Sequence, residues 1–397
     1  MAVFELRPHP QLSAEERAEK RRLILRDSIA LFSLFIITVL LALLTYVLFA
    51  TFSRHRDALA RRWLARGEAA LRGGNPRLAV EDLRSALEYA PNRRDIEIEL
   101  ATALAAAGRN AEATAYFNSL LEAQPGNGLI HLQLARLAAK QGNAALAEAH
   151  YQSALDGTWE GDGYVRRREV RLELAGYLIS RKDYTLAQTE LRTASGNAPD
   201  DPVTKLEIAQ LMEQAQDPSD ALQIYRAQIR HRDAPVEAFE GAGRSAYALG
   251  YIGLAREALA SAIQYQGFAA QNEATRQAVK QMRANSERIL QLYPDPNLRV
   301  RERAARIATD AKIARARLAA CFANANAQGE MANLQQEWQQ IPMGIAVRGL
   351  EQNPQLEQTI MSLVYETEEQ TAQICGAPSG DDALLLKIAQ APLAVQQ

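Results

Sequence analysis

Five histidines, two cysteines and 47 acidic side chains are the groups this sequence offers to chemistry, and their spacing decides what they could do. His9, His55, His131, His150 and His231 fall in no HExxH or other ligand pattern, so no metal site is expected. Cys321 and Cys375 form no CxxC pair, which removes the spacing of a zinc knuckle, a thioredoxin-like couple and covalent haem. They stay open to two readings: a disulfide in an oxidising compartment, or two buried thiols in a cytosolic helical domain. No glycine-rich phosphate loop and no GxSxG elbow occurs. Glu97 with Glu99, and Glu366 with Glu368 and Glu369, read as solvated faces rather than as an acid and a base. No catalytic residue, cofactor or metal is therefore assigned, and an enzyme would have to be lodged in residues 270–397. The formal net charge of −2 gives no reason to expect nucleic acid.

What the sequence does contain is a period. Pro91 and Pro125 lie 34 residues apart. Small residues follow the same interval: Gly67, Ala101 and Ala135, then Ala175 and Ala209 after one step of 40. A second series, Ala79, Ala113, Ala147, Ala187, Ala221 and Ala255, keeps that phase, with Leu87, Leu121, Leu155, Ile229 and Ile263 behind it to fill the seams. Such a period is the mark of stacked helical hairpins. Turns are expected at Gly74-Asn75, Gly108-Arg109, Gly142-Asn143, Lys182-Asp183, Gln216-Asp217 and Gly250-Tyr251, with prolines at 91, 125 and 199 closing their units. The pattern predicts about six hairpins over residues 60–267.

Trp63, Gly67, Ala79, Leu83, Ala86 and Pro91 in the first unit resemble the tetratricopeptide repeat (TPR) family. Leu100, Ala101, Ala113, Phe117 and Pro125 repeat the resemblance, as do Leu134, Ala135, Ala147, Tyr151 and Ala154. The fifth and sixth units depart from it, with no proline in phase after Ala262 and Gln228 at a position expected to be small. The resemblance implies an all-α solenoid and a concave protein-binding face, formed by the first helix of each hairpin. Carried onto this sequence, the residues expected there are Leu64, Glu68, Ile98, Thr102, Leu132, Arg136, Leu172, Gln210, Glu240 and Arg244. Some leucines among them could instead pack between hairpins. Relatives that clamp a carboxylate terminus use paired Lys and Asn, whereas Leu64 and Glu68, or Ile98 and Thr102, stand here.

Ahead of the repeats, residues 28–52 carry no charge and span about 37 Å as a helix, enough to cross a bilayer. The segment 28–53 is expected to be an uncleaved transmembrane helix in contact with the lipid bilayer, behind a charged tail, residues 1–27. Five Lys and Arg on each side leave the positive-inside rule tied. A short basic tail before a single anchor favours a cytoplasmic amino terminus and exported repeats. With its anchor the chain resembles bacterial inner-membrane TPR proteins, which implies a periplasmic TPR domain.

The six residues added between the third and fourth units fall in residues 156–168, DGTWEGDGYVRRR, which read as a loop. Its Trp159, Tyr164, Arg166, Arg167 and Arg168 could dock a partner, or Trp159 could fold back on its own hairpin. Residues 268–376 are expected to form a helical domain with an arginine-rich second helix, either a solvated face or a surface for anionic lipid or an acidic partner. A tail, residues 377–397, carries the run Ala383-Leu384-Leu385-Leu386 as a docking helix or a partner-binding segment. The function expected is a membrane-anchored scaffold that holds other proteins as an accessory subunit of a membrane complex. A transient assembly factor and a peptide receptor are the alternatives.

Overall fold

The computed structural model describes residues 13–199, 201–323, 331–342 and 344–391. Among them the chain is all-α, and its one β-type contact is an isolated bridge between Asn127 and Thr158. It divides into two compact units, Met1–Thr158 and Trp159–Gln397.

The first unit opens with α1 (Ala14–Arg72), a single helix of 59 residues. Ser13 starts it with a capping box: its hydroxyl accepts from the Glu16 amide, and the Glu16 carboxylate accepts from the Ser13 amide. The apolar run lies within this helix with its side chains exposed, and by length and composition α1 is long and apolar enough to cross a membrane. Ser33, Thr38 and Thr45 donate to their own helix carbonyls at 2.8 Å, so these hydroxyls need no partner helix. No break separates this run from the repeats. The boundary placed between residues 53 and 60 is replaced by continuous helix, because residues 54–71 contain neither Pro nor a turn sequence and Ala60 and Gly67 already pack on the next helix.

Three hairpins build this unit: α1 with α2 (Pro76–Tyr89), α3 (Arg94–Ala106) with α4 (Asn110–Ala123), and α5 (Gly128–Lys140) with α6 (Ala144–Asp156). The small residues in phase, Gly67, Ala101, Ala135, Ala79, Ala113 and Ala147, are all buried at the helix crossings. Leu83, Ile96, Leu100, Leu104, Phe117 and Ile130 fill the core between them.

The second unit starts with α7 (Gly163–Ser180), and pairs it with α8 (Tyr184–Gly196). It continues with α9 (Pro202–Gln214), α10 (Pro218–Ile229), α11 (Val236–Leu249) and α12 (Ile252–Gln264). The expected loop, residues 156–168, is split: 157–162, with Trp159, lie outside the helices, and 163–168 belong to α7. Asp162 accepts from the amides of Tyr164 and Val165 and starts α7 there, so the second half of the segment lengthens a helix. All six turns between the paired helices put one residue in the left-handed region: Gly74, Gly108, Gly142, Lys182, Gln216 and Gly250 have φ between 59° and 81°. Glycine enters that region without strain; Lys182 and Gln216 do so at a cost.

Beyond a 3₁₀ turn at Gln266–Ala270, α13 (Glu273–Leu292) and α14 (Val300–Phe322) lead into α15 (Ala332–Gln340), α16 (Val347–Glu351), α17 (Pro354–Cys375) and α18 (Asp381–Gln390). Their shared core includes Ile289, Ile307, Trp338, Leu350, Ile360 and Leu385. Of the two readings of the terminal run, the docking helix is the one seen: Leu384, Leu385 and Ile388 of α18 are buried in this core. Arg299, Arg301 and Lys312 stay exposed, but three arginines of α14 turn to the fold. Arg306 donates to the carbonyls of Leu290 and Tyr293, Arg315 to those of Trp338, Ile341 and Pro342, and Arg317 to that of Gly376. Each donates to carbonyls at or just past the carboxyl end of a helix, where acceptors are in excess. Cys321 and Cys375 are joined as a disulfide, Cα atoms 5.8 Å apart, tying the end of α14 to the end of α17.

Candidate protein-binding surfaces

The groove residues sort by burial. In the first unit Leu64 and Ile98 are half-buried against the core, Glu68 is half-buried beside Arg72 at 3.7 Å, and Arg136 is exposed. Thr102 spends its hydroxyl on the Ile98 carbonyl. Burial pushes the Glu99 carboxyl up, and the neighbouring Glu68 charge adds to that. Leu132 is buried at 7 %, and in the second unit Leu172 at 9 % and Glu240 at 3 %. These three do not stand open to a partner, because helix packing has already covered them. Gln210 is exposed and Arg244 half-exposed.

Arg244 is part of a polar cluster of which it alone was expected at a binding face. Glu213 on α9 accepts from Arg244 and from the Tyr225 hydroxyl on one oxygen, both at 2.9 Å, and from the Ser245 hydroxyl on the other at 3.0 Å. One carboxylate thus cross-links α9, α10 and α11. Burial, with the Glu213 charge, pushes the Tyr225 phenol well above its ordinary range, so it donates throughout the physiological pH range. The cluster borders an open cleft of about 570 Å³ lined by Glu213, Gln214, Gln216, Pro218, Arg244, Ser245 and Ala248. Packing sets its shape: a Cβ on residue 241 would fall on the Tyr225 ring, so glycine is required there. The signal was available in part, since Glu213 and Arg244 stand 31 residues apart and so near the same phase of successive units.

Two histidines the sequence treated as scattered are brought together. His131 on α5 and His150 on α6 place their Nδ1 atoms 3.2 Å apart. His131 Nε2 lies 2.9 Å from the Pro125 carbonyl and donates to it, which leaves its Nδ1 to accept from His150. Burial, then the His131 charge, lowers the His150 pKa. Among the described residues no group of three or more His, Cys, Asp or Glu side chains could hold a metal ion. His9 lies outside the described residues.

Of the loop candidates, Tyr164 is 84 % exposed, Arg166 is exposed and pairs with Glu169 at 3.0 Å, and Trp159, Arg167 and Arg168 are half-buried. All but Trp159 stand on the first two turns of α7. Two buried acids in the terminal bundle complete the inventory. Asp310 on α14 and Glu368 on α17 are fully buried, and their carboxyl oxygens have no hydrogen-bond partner among the described residues. Burial pushes each up to about 8.

Paired antiparallel helices of about 13 residues, left-handed turns at a fixed interval and small residues at each crossing define an α-helical repeat protein. Residues 64–128 match the family described as tetratricopeptide repeat. No curated protein matches it. Solved structures that it resembles include Pseudomonas aeruginosa PilF, 18 % identical, covering 57 % of this chain and 99 % of that one with a TM-score of 0.41. PilW, a type IV pilus biogenesis factor, is 19 % identical over 56 % of this chain and 98 % of that one, also at 0.41. Yeast Tom70 is 14 % identical over 87 % of this chain and 55 % of that one, at 0.38.

Proposed function

We propose that this protein is a membrane-anchored adaptor, held in the bilayer by the apolar part of α1 and holding a partner polypeptide on its repeats. The observation that carries this reading is that anchor and first repeat helix are one helix. Leu64 and Glu68 then stand about 18 and 24 Å along the axis from Phe52, at the bilayer boundary. A partner bound there is kept close to the membrane, which raises its local concentration without a new contact. The open polar surfaces, Arg136, Gln210, the Glu213–Arg244 cleft and Tyr164 with Arg166, are the docking sites in this reading. Catalysis is not part of it: the acids with the largest shifts, Asp310 and Glu368, are sealed from any substrate.

The reading places the amino terminus in the cytoplasm of a bacterium and the repeats in the periplasm. The Cys321–Cys375 bridge supports an oxidising compartment. The test is purification of the full-length protein from its native membrane in mild detergent, with and without Arg136→Glu and Arg244→Glu. A protein set in fixed ratio that is lost from the variants supports an adaptor subunit. Recovery of the same set with both variants, or of the protein alone, overturns the groove assignment.

A further inference from the structure

The continuity of α1 also fixes the height of one particular loop. The apolar run ends at Phe52, and four residues later Arg56 donates to the Tyr89 carbonyl at 3.0 Å and to the Glu88 carbonyl at 3.5 Å. Tyr89 is the last residue of α2. The carboxyl end of α2 is therefore clamped to α1 only about 6 Å beyond Phe52. The loop that follows keeps this level, since Asp57 on α1 is close enough for its charge to act on Arg93, just before α3. The headgroup layer outside the hydrocarbon is itself about 5 to 7 Å thick on each side. The other end of the hairpin, the turn at Gly74, lies about 27 Å further along the axis from Arg56.

We propose that this edge of the first unit, the carboxyl end of α2 and the α2–α3 loop with Arg54 and Arg94, rests on the phospholipid headgroups and binds their phosphates. The proposal deepens the anchored reading and rests on it. Arg54 and Arg94 are exposed and carry no intramolecular ion pair among the described residues, so both guanidinium forks are free to take phosphate oxygens. Arg93 is already paired with Asp95, and Asp57 and Glu88 lie on the same edge. The two free arginines thus supply the attraction to phosphate, and the clamp at Arg56 supplies the height. This second contact would hold the first hairpin upright on the bilayer instead of leaving it to swing on a linker.

The test uses the full chain in phosphatidylcholine vesicles containing phosphatidylglycerol and a lipid quencher at headgroup level. A fluorophore is placed on Glu88→Cys or, at the far end of the same helix, on Arg77→Cys; both positions are exposed. We expect at least threefold stronger quenching at 88 than at 77, and at least a twofold loss at 88 when Arg54 and Arg94 are both changed to Glu. Equal quenching at the two positions, in protein that resists alkaline carbonate extraction, overturns the placement of the edge while the anchor stands. Unchanged quenching in the charge-reversed protein overturns the phosphate contact. Release of the protein by carbonate overturns the anchored reading, and this proposal with it.

Discussion

Asp310→Asn should stabilise the terminal bundle at neutral pH and do almost nothing at pH 4. Asp310 is fully buried on α14, neither carboxyl oxygen has a hydrogen-bond partner among the described residues, and burial outweighs the opposing charges of Arg288 and Arg306. Its folded-state value of about 8 stands above the 3.8 of a free carboxyl, so the folded state binds a proton that the unfolded chain has lost. The stability is then whole below about pH 4 and declines as pH rises, until the folded group ionises near 8. The decline is about 1.4 kcal/mol per pH unit for one such group, which amounts to about 4 kcal/mol at pH 7. Asparagine is neutral at every pH and close in shape to the protonated acid, so it avoids this loss. Glu368, pushed to the same region by burial and by Asp382, doubles the slope in the native chain. The assay is amide exchange in α14 and α17 of the full-length protein between pH 5 and 9, corrected for intrinsic rates. A free energy of opening that falls with pH in the native chain, and falls about half as steeply in Asp310→Asn, is the expected result. Flat stability between pH 5 and 8, with the variant no more stable than the native chain, would show that Asp310 is ionised and partnered.

Three further outcomes follow from the repeats. Lys182→Gly and Gln216→Gly should each leave stability unchanged or raise it by up to about 1 kcal/mol in urea melts, because glycine relieves left-handed strain at φ 66° and 59° while adding unfolded-state entropy; a loss above about 1 kcal/mol at either site refutes the turn geometry. Gly241→Ala should cost about 1 to 3 kcal/mol, since the new methyl falls on the Tyr225 ring, and Tyr225→Leu in the same chain should recover part of the loss. Acidification should loosen α5 and α6: the His150 pKa is lower in the folded state, so the unfolded chain takes the proton first and stability present above about pH 6.5 is lost as pH falls. Exchange protection in these helices that drops from pH 7 to 5 in the native protein, but not in His150→Gln, is the check.

The repeats were legible because their signals are local and recur. Ala79, Ala113, Ala147, Ala187, Ala221 and Ala255 are each fully buried, and the six turns fall at the residues that the period marks, even where Lys182 and Gln216 stand in place of glycine. A turn position fixed by phase and packing overrides the preference of its residue. The groove was legible only as a list of phases. Helix phase gives the direction a side chain leaves its own helix and says nothing of how closely the next hairpin approaches, which is why Leu132, Leu172 and Glu240 are buried while Gln210 is exposed.

The remaining differences share one physical origin. Charge was read as exposure, yet in the terminal bundle charge is used inside: Arg306, Arg315 and Arg317 bind the carbonyls of helix ends, and Asp310 and Glu368 sit in apolar surroundings. Guanidinium groups reach helix carboxyl ends that are distant in sequence, as Arg317 reaches Gly376 across 59 residues, so no window of sequence reveals the pairing. The same reach operates beside the apolar run of α1, where Arg56 meets Tyr89 across 33 residues. In the anchored reading proposed above the consequence is functional. An arginine just past the apolar run, counted in the sequence as one of five that leave topology undecided, is the residue that clamps the end of α2 to α1. Arg56→Ala should free the carboxyl end of α2 from α1 while leaving the buried contacts of Ala60, Gly67 and Leu83 in place. The expected result is faster amide exchange at the end of α2 together with weaker headgroup quenching at position 88. Quenching that survives the loss of this clamp would mean that the lipid contact, and not the arginine, sets the height of the loop.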